Sequence, residues 1–139
     1  MIEQILEFSG NHTLLVTALL ISASLLMHNL LSGNQGNITP VKATELINHE
    51  NAVVVDVRPA ADYSQGHIIN AINIPATTLA SQMNQLQKHK DKPIIVSCRS
   101  GAQSSMACKQ LKKEGFENVH NHKGGILNWQ SENLPVTKK

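Results

Sequence analysis

The sequence predicts an α/β domain with a mostly parallel sheet, preceded by one N-terminal transmembrane helix. Three observations carry this reading. From residue 38 onward, short β-branched runs alternate with helical patterns, as in repeated strand–helix units. Ala52-Val53-Val54-Val55-Asp56 is continuous and β-branched, which suits a strand buried on both faces. Ahead of both, Leu14 to Leu31 runs for 18 residues without a charge.

At the N-terminus, Ile2, Ile5 and Leu6 share one helical face, and Glu3 and Glu7 lie four apart on another. Gly10-Asn11 interrupts this helix. At about 1.5 Å per residue, the Leu14–Leu31 run covers roughly 27 Å, near the hydrocarbon thickness of a bilayer. A secretory signal peptide would need a basic leader and a small-residue cleavage site, and neither is visible. A buried core helix would be shorter. The remaining reading is an N-terminal segment and anchor over residues 1–31. No Lys or Arg precedes the span and Lys42 follows it. The positive-inside rule then puts the C-terminal portion in the cytoplasm.

Residues 32–37 form a short polar linker of small residues. The globular domain occupies 38–136, and 137–139 are a basic tail. Thr39-Pro40 is a helix entry, with a hydroxyl N-cap and Pro at the first helical position. Val41, Ala43, Leu46 and Ile47 give that helix an apolar face to about His49. After the Ala52–Asp56 strand, Asp56 and Arg58 are candidates for catalysis but read better as a structural pair pinning the next loop, because polar groups at a strand end need partners. Ala60 to Gln65 is a short turn or helix, and Ala71 to Ile74 is a strand stopped by Pro75. Thr77 to His89 reads as one helix through Leu79, Met83 and Leu86. Ile94 to Val96 is a further buried strand. A helix from Ser104 to Glu114 buries Ala107, Cys108 and Leu111 and exposes Lys109, Lys112 and Lys113. Gly115 ends it. Asn118 to Asn121 is a last strand, Gly124-Gly125 a turn, and Ile126 to Glu132 a last helix, with Leu134-Pro135 closing the fold.

Composition excludes several functions. Net charge is +2 and aromatic content is 3 %, so neither a basic patch nor a stacking platform for nucleic acid is present. Two Cys without a secretory signature suggest reduced thiols in an intracellular compartment. The seven His are scattered, and no Cys or carboxylate cluster completes a metal site, so the expectation is solvated histidines and no metal or organic cofactor.

The chemistry points to Cys98-Arg99-Ser100-Gly101-Ala102-Gln103-Ser104. A strand, a tight loop and then a helix place this loop at the carboxyl end of the sheet, where open α/β folds bind ligands. Loop N–H groups and the helix dipole favour an anion there, including a thiolate. A Cys in such a site has its pKa drawn from about 8.5 into the range of roughly 3.5–7.5. The competing reading of Cys98 is a small buried hydrophobe that ends a strand. Arg99 is either a solvated charge or a contact for an anionic substrate. Cys108, on an apolar helix face, reads as core. A phosphatase loop of this kind would carry Arg after five residues, but Ser104 stands there, so the planar clamp for phosphate is absent.

The motifs together resemble a single-domain rhodanese. They are Val53-Val54-Val55-Asp56-Val57-Arg58, Tyr63-Ser64-Gln65-Gly66-His67-Ile68, Ala71-Ile72-Asn73-Ile74-Pro75, Cys98-Arg99-Ser100-Gly101, Gly115-Phe116 and Gly124-Gly125-Ile126-Leu127-Asn128-Trp129. The resemblance spans about Thr39 to Val136. The layout is similar to bacterial inner-membrane proteins with one anchor and one cytoplasmic rhodanese domain. It implies a five-stranded parallel sheet with helices on both faces, and sulfur transfer without a cofactor. It also implies that Cys98 carries the persulfide, with Arg99, Ser100, Gly101, Ala102, Gln103 and Ser104 around the substrate. The commoner bacterial loop has Arg where this chain has Gln103, which speaks against the usual anionic donor. The implied partners are a small sulfur donor or a protein persulfide or thiol, together with the membrane. The alternative is a non-enzymatic module of the same fold that binds a membrane or translocation partner.

Overall fold

The computed structural model describes residues 1–32 and 36–139. Two compact units emerge, Met1–Gln35 and Gly36–Lys139. In the first, α1 (Ile2–Asn11) and α2 (Thr13–Ser32) meet at His12, whose backbone leaves the helical region at φ −128° and ψ 43°. The axes of Ile2–Asn11 and Thr13–His28 are bent by 100°. Among the described residues no single helix is long and apolar enough to cross a membrane, and the two pass such a criterion only as this bent pair. The expected uncharged run is thus helical but broken from the helix before it, at His12 rather than at Gly10-Asn11, which are the last residues of α1. The linker expected over 32–37 lies largely outside the described residues.

The second unit begins with β1 (Asn37–Ile38), α3 (Pro40–Glu50), β2 (Val53–Asp56), α4 (Ala60–Gln65), β3 (His67–Ile68) and β4 (Ile72–Asn73). Next come α5 (Leu79–Gln82), a 3₁₀ helix (Met83–His89), β5 (Ile94–Ser97) and α6 (Ala102–Lys113). The chain ends with β6 (Val119–His122), α7 (Gly125–Ser131) and β7 (Val136–Thr137). The main sheet has five strands in the order β1-β6-β5-β2-β4, and every pairing is parallel. This is the predicted α/β architecture, with its five-stranded parallel sheet.

Alternation along β2 and β5 sorts the core into two layers, because successive strand side chains point to opposite faces. Val55, Ile94 and Val96 face α5, the 3₁₀ helix and α6, and pack with Leu79, Leu86, Leu111 and Phe116. Val54 and Ile95 face α3 and α7, and pack with Ala43, Leu46, Ile126 and Trp129. Both faces are therefore covered, as a parallel sheet requires. Thr39 caps α3 by accepting the Lys42 N–H at 3.3 Å, with Pro40 as the first helical residue.

Five expectations change. The helix expected over Thr77–His89 is two pieces, α5 and the 3₁₀ helix. Met83 and Leu86 are three residues apart, so both stay buried on one edge of a 3₁₀ turn. The helix expected from Ser104 starts at Ala102, because Gly101 (φ 98°) makes the turn by itself. The fifth strand of the sheet is β1, in residues read from sequence as linker and domain entry. The tail is partly structured: β7 pairs antiparallel with β3, Ile68 opposite Val136 and His67 opposite Thr137. Two-residue strands carry no periodicity for a sequence to show. Finally, His67 and His122 are fully enclosed rather than solvated.

Both cores lie within residues 36–139, so this fragment is expected to unfold in a single cooperative thermal transition. Starting the fragment at residue 39 removes the bonds from the Asn121 N–H to the Gly36 carbonyl and from the Lys123 N–H to the Ile38 carbonyl, the latter 2.9 Å. Denaturant titration should show the shorter fragment less stable by about 2 kcal/mol.

Candidate active site around Cys98

Strand β5 is buried along its length and runs between β6 and β2. Its chain leaves the sheet at Cys98, at the carboxyl edge. The Gly101 N–H donates to Cys98 Sγ at 3.0 Å, and Ser104 Oγ lies 3.3 Å from the same sulfur. Burial pushes the Cys98 thiol up. The Ser104 hydroxyl and the N–H groups of Ser104, Gly101 and Ser100 oppose it, and the balance leaves the thiol below its usual value. Cys108, in contrast, has no such donors, and burial pushes it up to about 12.

The loop is held from outside by α7. The Ile126 N–H donates to the Cys98 carbonyl at 2.8 Å, and the Leu127 N–H to the Arg99 carbonyl at 3.3 Å. This approach needs Gly125. A Cβ there would lie 2.6 Å from the Arg99 carbonyl oxygen and closer still to that of Cys98, and the residue has φ 58°. Gly101 is likewise crowded by the Gly124 backbone, 3.1 Å from where its Cβ would be.

Cys98 opens onto a cleft of about 370 Å³ lined by Arg58, Pro59, Asp62, Arg99, Ser100 and Gln103. Arg99, Ser100, Ala102 and Gln103 are exposed, while Ser104 is fully buried against the sulfur. The loop residues singled out from sequence therefore separate into three groups. Ser100, Gly101 and Ser104 turn donors toward Sγ; Arg99 and Gln103 line the cleft; Ala102 opens α6. Asp56 and Arg58 form the expected pair: Arg58 Nη2 lies 2.7 Å from Asp56 Oδ2, and Nε donates to both carboxylate oxygens. Arg58 also reaches the Gly66 carbonyl at 2.8 Å. Its guanidinium still borders the cleft, so a second cation stands there beside Arg99, already matched by a carboxylate.

Four residues at or behind the site escaped the sequence reading. Asn121 Oδ1 accepts from the Ser104 hydroxyl at 2.5 Å, and Asn37 Oδ1 accepts from Asn121 Nδ2 at 2.9 Å. Ser97 Oγ lies 3.0 Å from His122 Nδ1, on the side of the sheet away from Cys98. The available signal was the unusual polarity of Val119-His120-Asn121-His122, a run otherwise placed as a buried strand. Among the described residues no three His, Cys, Asp or Glu side chains gather as a metal would need.

A family model for the Rhodanese-like domain matches residues 39–132. The chain belongs to the rhodanese-like family. This rhodanese-like chain is 39 % identical to the uncharacterized protein YibN of Escherichia coli (strain K12), over 98 % of both chains. It is 35 % identical to a sulfurtransferase of Allochromatium vinosum, over 66 % of this chain and 83 % of that one. Among solved structures, a rhodanese-related protein from Thermoplasma volcanium superposes with a TM-score of 0.68 at 32 % identity, covering 75 % of this chain and 99 % of that chain.

Three outcomes are expected. Gly125→Ala in the rhodanese-like domain should lower stability by about 1–3 kcal/mol in denaturant titration, from forced backbone displacement and a strained φ. Iodoacetamide at pH 7 should label Cys98 and spare Cys108, with the Cys98 rate rising as pH climbs through its lowered pKa; peptide mass spectrometry reads the site. His122 is buried with its pKa lowered to about 4 from 6.5, so the folded state disfavours its protonation. Its effect is absent above pH 6.5, and stability is lost as pH falls from there toward 4, by roughly 3 kcal/mol. His122→Asn should flatten that part of the stability–pH curve relative to the parent.

Proposed function

We propose that this protein is a membrane-attached sulfurtransferase that carries sulfane sulfur as a persulfide on Cys98. The observation that carries the reading is the sulfur itself. It sits at the end of the central strand, receives N–H donors from its own loop, and opens into a cleft with Arg99 at its rim. The similarity to a sulfurtransferase of Allochromatium vinosum supports the same chemistry.

In the first step the Cys98 thiolate attacks the outer sulfur of the donor. A Cys98 S–S bond forms as the donor's S–S bond breaks, and sulfite or a thiolate leaves with the bonding pair. In the second step an acceptor thiolate attacks the terminal sulfur, and Cys98 departs as thiolate. The backbone N–H groups of Ser100, Gly101 and Ser104 donate to the sulfur anion in either state, while Arg99 and Gln103 meet the donor. The N–H donors are fixed before reaction, so no reorganisation is needed as charge shifts between sulfurs.

Membrane attachment rests on the N-terminal unit. Among the described residues, most of the exposed large apolar side chains fall there, from Met1 to Met27, including Leu14 at 84 % and Leu19 at 67 % exposure. The run from Leu14 to Leu31 carries no charge, and the bilayer is the solvent that suits such a segment. In this reading the run spans the inner membrane and the catalytic domain faces the cytoplasm.

Intact mass after exposure to thiosulfate or a low-molecular-weight persulfide should rise by one sulfur atom, and Cys98→Ser should abolish the gain. Absence of any gain with both donors would favour a binding module of the same fold. Gln103→Arg adds a cation to the cleft and should raise kcat/KM for the thiosulfate dianion by about tenfold. A neutral persulfide donor should respond little. Full-length protein should stay in the membrane pellet through alkaline carbonate, and release by that wash would mark a surface-lying helix pair instead.

A further inference from the structure

The Ser104 hydroxyl has one hydrogen and two claimants. Cys98 Sγ lies 3.3 Å from Ser104 Oγ, and Asn121 Oδ1 lies 2.5 Å from it. The shorter contact is to Asn121, and an amide oxygen can only accept. The Ser104 hydrogen therefore points to Asn121, and Ser104 Oγ turns lone pairs toward the sulfur. A neutral thiol satisfies that arrangement by donating S–H to Oγ. A thiolate does not, and must first draw the Ser104 hydrogen away from Asn121.

The Asn121 amide could escape this conflict by flipping, but its other end is committed. Asn121 Nδ2 donates to Asn37 Oδ1 at 2.9 Å and to the Gly101 carbonyl at 3.3 Å. Both partners are acceptors, so they need the NH₂ group where it is. Asn37 belongs to β1, the edge strand that pairs with β6, and the parallel register sets Asn37 beside Asn121. The four residues thus form one directed chain of hydrogen bonds: Cys98, Ser104, Asn121, Asn37.

We propose that Asn121, oriented by Asn37, is a positioning residue that holds the Ser104 hydroxyl hydrogen away from Cys98 and so restrains formation of the thiolate. The loop N–H groups favour the anion; this side-chain relay opposes them, and their balance sets how much reactive sulfur is present. The inference rests on Cys98 as the sulfur carrier for its meaning in catalysis, but the hydrogen-bond competition itself does not depend on the donor or acceptor.

The ionisable groups near Cys98 are Arg99 on its own loop, Arg58 and Asp62 across the cleft, Cys108 on α6, and His122 behind Ser97 on β6. Cys108 titrates near 12 and His122 near 4, so neither falls in the working range. The test is the pH profile of iodoacetamide alkylation at the Cys98 peptide, measured on the full-length protein. Asn121→Leu keeps the side-chain size and removes the acceptor. Its midpoint should fall by about one pH unit, a tenfold larger thiolate fraction below the midpoint. Asn37→Ala, on the edge strand, frees the Asn121 amide to flip and should shift the midpoint the same way by less. In the Ser104→Ala background, Asn121→Leu should change nothing. An unchanged or raised midpoint in both Asn121→Leu and Asn37→Ala, or equal shifts with and without Ser104, would overturn the relay. If Asn121→Leu does not fold, Asn37→Ala decides. Sulfur uptake by Cys98 is scored separately by mass, so loss of sulfur transfer with an intact pH response would reject the catalytic reading alone.

Discussion

The site depends on the close approach of α7 to the loop that follows β5. Peptide units are planar and trans, so the carbonyl of one residue and the N–H of the next point in opposite directions. Ile126 and Leu127 engage the carbonyls of Cys98 and Arg99 from the α7 side. The Arg99 carbonyl faces α7, so the Ser100 N–H is directed the other way, to the side of the sulfur it stabilises. Gly125 permits the approach and Gly101 permits the turn. The anion cradle is thus a consequence of how a helix is seated, with no charged side chain in it.

That arrangement explains how a thiol with almost no solvent exposure can sit below its usual pKa. Burial by itself favours the neutral form, as Cys108 demonstrates on the same helix layer. Cys98 differs only in having donors within reach. The cations nearby act at longer range and unequally. Arg58 is enclosed, spends its fork on Asp56 and braces the Gly66 carbonyl, while Arg99 is exposed at the rim. The Asp56–Arg58 pair therefore shapes one wall of the cleft and contributes little net charge to it.

The two faces of the sheet divide the labour along β5. Ile94, Val96 and Cys98 lie with α6, and the last of them is the reactive sulfur. Ile95 lies with α7 and Trp129, and Ser97 meets His122, which stacks edge-on to Trp129 with ring centroids 5.7 Å apart. Ser97 Oγ and His122 Nδ1 pair without reaching solvent, while His122 Nε2 is buried with no hydrogen-bond partner among the described residues.

Much of this was legible in residue order alone. Continuous β-branched runs at Val53–Val55 and Ile94–Val96 announce strands buried on both faces, and their alternation with helical periods forces a parallel sheet. A strand–Cys–loop–helix succession then places Cys98 at the carboxyl edge, because that placement follows from chain direction. The Asp56–Arg58 pair, two residues apart at a strand end, is also a local matter. Other features were decided by tertiary structure. The strands β1, β3 and β7 have two residues each and exist only through their partners. Arg58 reaches the cleft of Cys98 because β2 and β5 are neighbours in register, and Asn37 reaches Asn121 because β1 pairs with β6 across 84 residues of chain. Hydrophobic pattern and turn chemistry act over a few residues and can be read in order, whereas a hydrogen bond between distant side chains needs the register of the finished sheet.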